Sequence, residues 1–165
     1  MKRKIYSEKE FMKLVKKNSS QVFFLVSKVS WPFPFASHPW IVTNEKGKMK
    51  RTEVLSHKNE KTKNYIWISK GSFSTPMAMF PEDPELTYRY SKLIGLFEGD
   101  EARVIINFMK DIDRKYPGRD RYVYFPGPNS NTFVKWIIRS LGLKLRLPPN
   151  AYGKRYVWKI KQRKD

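Results

Sequence analysis

A chain of 165 residues with 40% apolar and 15% aromatic side chains is the size of a single domain built on one real core, and so much ring surface excludes a disordered chain. Its 34 Lys and Arg against 15 Asp and Glu leave a formal charge of +19, a field that favours non-specific binding of nucleic acid or another polyanion and that is equally well explained as solvation. The absence of cysteine excludes disulfides, thiolate nucleophiles and cysteine zinc sites, and the apolar runs fall well short of the ~20 residues that a bilayer crossing needs.

The N-terminus, MKRKIYSEKEF, is basic without a following apolar stretch or small-residue cleavage site, so a cytoplasmic address is expected and residues 1–165 read as one domain. Within residues 1–20, Ser7 and Glu10 form a capping box, and Phe11, Met12, Leu14 and Val15 predict a helix running to about Lys17. Val22 to Val26 is apolar, β-branched and aromatic, which predicts a buried strand that breaks at Trp31-Pro32-Phe33-Pro34.

From His38 the run HPWIVT predicts a second strand, Asn44 to Gly47 a turn, and Lys50 to Leu55 and Tyr65 to Ile68 two more strands of an antiparallel meander. Gly71, Pro76, Pro81 and Pro84 mark a long loop before a strand over Leu93 to Phe97. Asp100 is the expected cap of a helix with Val104, Ile105, Phe108, Met109 and Ile112 as its apolar stripe. Tyr122-Val123-Tyr124 reads as a short strand, PGPN as a tight turn, and Phe133, Val134, Ile137, Ile138 and Leu141 as the last long helix, ending before Gly142. Tyr156 to Ile160 suggests an edge strand, and residues 158–165 form a loose basic tail. The fold class is α+β, an antiparallel sheet packed on one side by helices.

The charge is unevenly spread. Glu82 to Asp120 holds nine acidic and seven basic residues, a local −2, so the rest of the chain carries +21, concentrated at the two ends and in Lys46 to Lys63.

The sharpest feature is FPGPNSNTF, Phe125 to Phe133. Asn129 or Ser130 takes the cap of the last helix, where free backbone N–H groups and the positive end of the dipole can hold an anion or an oxyanion. Ser130 lies three, four and seven residues before Phe133, Val134 and Ile137, which turns its hydroxyl toward the sheet. That direction suits a nucleophile and suits a helix cap. Asn129 and Asn131 flank it as turn and cap residues that border the site. Trp31, Phe33, Phe35 and Trp40 either line a pocket mouth or belong to the core. His38 and His57, nineteen positions apart with no cysteine, give no metal site, and neither a cofactor nor a cofactor motif is expected.

With HPWIVT, RTEVLS (Arg51 to Ser56) and LPPNAYGKRYV (Leu147 to Val157), the segment FPGPNSNTFVKW resembles the bacterial domain of unknown function family 3750 over roughly residues 22 to 157. That family name brings no activity with it. The chain is also distantly similar to circularly permuted papain-like proteins, such as lecithin:retinol acyltransferase and some cell-wall amidases, which place a strand His before a helix-starting Asn-Cys-x-x-Phe. Here His38 opens a strand, Glu53 falls on the next, and Ser130 stands where the nucleophilic Cys would be.

This second resemblance implies a permuted papain-like fold with Ser130 as nucleophile and His38 as base. Glu53 or Asn44 would orient the imidazole, and the Ser130 N–H would serve the oxyanion hole. The substrate would be a small or peptide-like amide, ester or thioester. A serine hydroxyl stays protonated where a thiol at a helix start ionises, so the exchange of Cys for Ser is not neutral. Two other functions remain: a non-catalytic relative whose pocket binds a ligand, and a basic module for a polyanion.

Overall fold

The computed structural model describes residues 3–5, 7–29, 34–59, 62–72 and 91–156. Six strands form one antiparallel sheet in the order β1-β6-β2-β3-β4-β5: β1 Arg3–Ile5, β2 Ser20–Lys28, β3 Ser37–Glu45, β4 Lys48–Asn59, β5 Thr62–Ser72 and β6 Ser91–Glu98. The helices are α1 Glu8–Met12, α2 Gly99–Lys110, α3 Ile112–Lys115 and α4 Ser130–Ser140. β2 to β5 is the expected meander. β6 and β1 add to the free edge of β2.

β2 is buried at seven of its nine positions because both faces of the sheet are covered. Val22, Phe24 and Val26 alternate onto the face packed by α2 and α4, where Ile41, Val54, Ile105, Phe133, Val134 and Ile137 complete the main core. Phe23 and Leu25 point the other way, into a second core with Ile5, Phe11, Trp40, Val42 and Leu93. Helices therefore cover both faces, α1 lying on the second, which corrects the one-sided packing expected from sequence.

Local chemistry explains most boundaries. Lys46 and Gly47 both have positive φ, 51° and 88°, as a two-residue hairpin between Glu45 and Lys48 demands, and Asn44 Oδ1 accepts from Gly47 N at 2.8 Å. Ser7 Oγ accepts from Glu10 N at 3.2 Å, the expected cap, but α1 ends at Met12. Gln21 Oε1 takes the Lys16 N–H at 2.7 Å and ties the chain into β2 before the helix can reach Lys17.

Three other expectations need correcting. Glu98, not Asp100, occupies the N-cap of α2, and it makes no side-chain cap bond because its carboxylate receives Gln21 Nε2 and Lys16 Nζ, each at 2.9 Å. On that helix Ala102, Ile105, Ile106 and Met109 are buried while Val104 is 59% exposed, so the inward face is rotated from the stripe read in sequence. Tyr122 to Tyr124 is no strand: Val123 N donates to Pro128 O at 2.8 Å and closes a loop ahead of α4. Trp31, Phe33, Pro76, Pro81, Pro84 and the segment beyond Tyr156 lie outside the described residues. Among the described residues no helix is long and apolar enough to cross a membrane.

Candidate functional site

The start of α4 is held from every side. Asn129 is its N-cap, with Oδ1 accepting from Asn131 N at 3.0 Å and Thr132 N at 3.2 Å, while Thr132 Oγ1 accepts from Asn129 N at 3.3 Å to complete a capping box. Asn129 Nδ2 donates to the carbonyls of Tyr124 and Tyr152, at 2.8 and 3.1 Å. Asn131 Nδ2 donates to Ser37 O at 3.0 Å and Tyr152 O at 2.9 Å, binding the helix start to the first residue of β3. Ser130 is thus the first helical residue and Asn129 the cap.

Gly127 and Gly153 make this packing possible. Gly127 has φ 121° and a Cβ there would stand 2.7 Å from Thr132 Oγ1; Gly153 has φ 92° and its Cβ would stand 2.5 Å from Asn129 Oδ1. Neither position has room or backbone tolerance for a side chain.

His38, the second residue of β3, is buried, and its Nε2 meets Glu53 Oε2 of β4 at 3.1 Å. Glu53 Oε1 accepts from Arg51 Nη2 at 2.8 Å, and the Arg51 guanidinium lies 4.9 Å from the centre of the Trp40 ring. Burial alone would raise the Glu53 pKa, but the hydrogen bond and charge of His38 and the charge of Arg51 outweigh it, so the carboxyl is held below its ordinary range. The carboxylate is ionised and fixes the imidazole through Nε2. Among the described residues Nδ1 of His38 has no hydrogen-bond partner.

Tyr122 lines the cavity beside Ser130. Burial raises the Tyr122 pKa, and the nearby hydroxyl and backbone N–H of Ser130 partly oppose the rise. No hydrogen bond joins Ser130 to His38. By strand alternation His38 shares the face of Trp40 and Val42, whereas Ser37 before it faces α4 with Ile41.

Ser130 and His38 nevertheless line one cavity of about 760 Å³, together with Asn129, Asn131, Tyr122 and His57. None of the described residues lining it is Lys, Arg, Asp or Glu, in a chain that carries +19. Its rim is aromatic. Phe35, Trp67, Tyr124, Phe125 and Tyr152 all line it and are 42% to 72% exposed, with Phe35 and Phe125 edge-on to Tyr152 at 6.0 and 6.3 Å. Exposed rings gathered at one cavity are the usual mark of a ligand site.

Of the residues singled out in the sequence, Ser130, Asn129, Asn131 and His38 border this cavity, and Glu53 stands behind His38. Trp40 and Asn44 do not border it. Trp40 is fully buried in the second core with Nε1 donating to Ser27 Oγ at 2.9 Å, and Asn44 is fully buried, donating to Lys16 O and Gln21 Oε1 at 2.9 and 3.0 Å. The imidazole is therefore oriented by Glu53 and not by Asn44. Sequence reading passed over Tyr122, Tyr124 and Tyr152; the ring density of YVYFP before the turn and the Tyr of NAYGK were the available signals. Among the described residues no three His, Asp or Glu gather where they could hold a metal ion.

The model of the family described as "Protein of unknown function (DUF3750)" matches residues 19–156. The chain belongs to this family. The matched region runs from the start of β2 to the turn carrying Gly153, so it encloses the whole cavity and leaves β1 and α1 outside. No curated protein matches the chain. Among solved structures, the type VI secretion system effector TseH superposes with a TM-score of 0.49 at 13% identity, over 82% of this chain and 84% of that one.

Proposed function

We propose that the cavity binds an uncharged, largely apolar amide, ester or thioester and that Ser130 attacks its carbonyl, with His38 as base and Glu53 orienting the imidazole. The observation that carries this reading is the state of His38: an ionised, buried carboxylate holds Nε2, and Nδ1 is left without a partner among the described residues, in a residue that borders the same cavity as Ser130. The Ser130 N–H at the start of α4 is the matching donor for a developing oxyanion. Tyr122 stands beside Ser130 in the same cavity, so its phenol must make room for the substrate carbonyl. The aromatic rim and the lack of charged lining select a neutral acyl group.

The test is hydrolysis of a matched pair of nitrophenyl esters, one with a neutral aliphatic acyl group and one ending in a carboxylate. The neutral ester should turn over about tenfold faster, a discrimination of the size that desolvating a charge in an apolar pocket imposes, and Ser130→Ala should remove the activity. Equal rates, or activity that survives Ser130→Ala, would rule the reading out.

A second reading is a ligand pocket without chemistry. It is favoured by the strand parity that turns His38 away from α4. It requires the same neutral ligand to bind wild type and Ser130→Ala equally, with no turnover.

A further inference from the structure

Further along α4, five cations surround one depression of about 400 Å³: Lys135, Arg139, Arg146, Lys154 and Arg155. They come from three parts of the chain. Lys135 and Arg139 are four residues apart on α4, Arg146 lies in the segment that follows, and Lys154 and Arg155 belong to the turn around Gly153. None of the five makes an ion pair with a carboxylate among the described residues.

Such an arrangement works against the fold. Like charges four apart on a helix destabilise it, and Lys154 is held below its ordinary pKa by desolvation and by the charges of Arg155 and Lys135. Yet Lys154 is anchored, its Nζ donating to the carbonyls of Pro148 and Pro149, the latter at 2.9 Å. An anchored lysine among three guanidinium groups around a concave surface is the complement of a compact anion with several negative oxygens.

We propose that these residues form a binding site for a multiply phosphorylated group, independent of the chemistry assigned to Ser130. The guanidinium forks match phosphate oxygens, and the cations ring one depression instead of tracking along a stripe as an extended nucleic-acid strand requires. Lys154 and Arg155 open the basic C-terminal end that stands out in the sequence, whereas Lys135, Arg139 and Arg146 lie outside it and outside Lys46 to Lys63.

Calorimetric titration with inorganic tripolyphosphate at near-physiological salt tests the proposal. One-site binding is expected, weakened about tenfold or more in the double variant Arg139→Ala/Arg146→Ala and by less than about twofold in Lys48→Ala/Lys50→Ala, which removes the same charge from an exposed strand face. All four side chains lie at or near the surface, and matched thermal melts confirm that both variants fold. Phosphatidylcholine vesicles doped with a phosphoinositide bisphosphate separate the sources. Retention lost with the Arg pair identifies a membrane-borne headgroup, and no retention identifies a soluble ligand. Equal weakening by both pairs would reduce the effect to net charge and overturn the site. So would the lack of saturable binding, or tighter binding of oligothymidylate through the same Arg pair.

Discussion

Glu53 Oε2 and His38 Nε2 stand 3.1 Å apart on adjacent strands, both side chains buried and the carboxylate shared with Arg51. A buried carboxylate bonded to two cationic or polar partners is stabilising only while all three remain, because removing one leaves the others desolvated and unpaired.

Glu53→Gln should therefore cost about 3 kcal/mol of stability near neutral pH, the range for breaking a buried pair. The pH dependence follows from the direction of its shift. A folded pKa below the ordinary 4.5 means that the contribution is complete above about pH 4.5 and is lost as pH falls through the lower folded value. Urea unfolding of wild type and variant across that range should show the gap closing on the acid side. A gap that is constant with pH would mean that the carboxylate charge has no part in it.

Gly153→Ala and Gly127→Ala should each lower stability by about 2 kcal/mol or more, since both combine positive φ with a Cβ that meets Asn129 or Thr132. Gly142 is the internal control. It has φ 63° with nothing within 4 Å of its Cβ, so Gly142→Ala should cost only about 1 kcal/mol. Thermal melts that rank the three alike would show that close approach to the α4 cap adds nothing.

Asn129→Ala removes the cap acceptor and both anchors to the carbonyls of Tyr124 and Tyr152, and the loss should exceed the ~1 kcal/mol of an ordinary cap. Asn129→Asp keeps the cap acceptor but loses the two donated bonds. It should fall between wild type and Asn129→Ala, as chemical denaturation will show.

Tyr122→Phe removes the phenol oxygen that lines the cavity beside Ser130. On the catalytic reading it opens space for the substrate carbonyl and should raise the rate of Ser130 acylation by a small ester. On the ligand-pocket reading it changes stability alone. Stopped-flow acylation kinetics distinguish the two.

Much of the fold was legible because its signals are local. Val22 to Val26 is too apolar for anything but a buried strand, Asn44 to Gly47 carries hairpin chemistry, and Ser130 to Ser140 has an unbroken helical stripe after an Asn cap. The misreadings have non-local causes. Tyr122 to Tyr124 alternates like a strand, yet Val123 gives its N–H to Pro128 across a loop. Val104 is apolar but faces outward because α2 is positioned by Ala102, Ile105 and Ile106 against the sheet.

The site divided along the same line. Ser130 and His38 were marked by motif and by rarity, and their chain order suggested Glu53 as the partner. Tyr122 and the rim rings meet only when the loop residues 35, 124, 125 and 152 come together with Trp67 of β5. No local pattern announces that. Trp40, conspicuous beside His38, proved to be core because its side chain packs with Phe23, Leu25 and Val42 on the face turned away from α4.

The proposed role of Ser130 as a nucleophile served by His38 is measured most directly by labelling with a neutral, apolar fluorophosphonate followed by peptide mass spectrometry. Wild type should carry the adduct on Ser130, and the folded variants Ser130→Ala and His38→Ala should carry none. A wild-type protein that stays unlabelled, or a His38→Ala variant labelled as fast as wild type, would contradict the account.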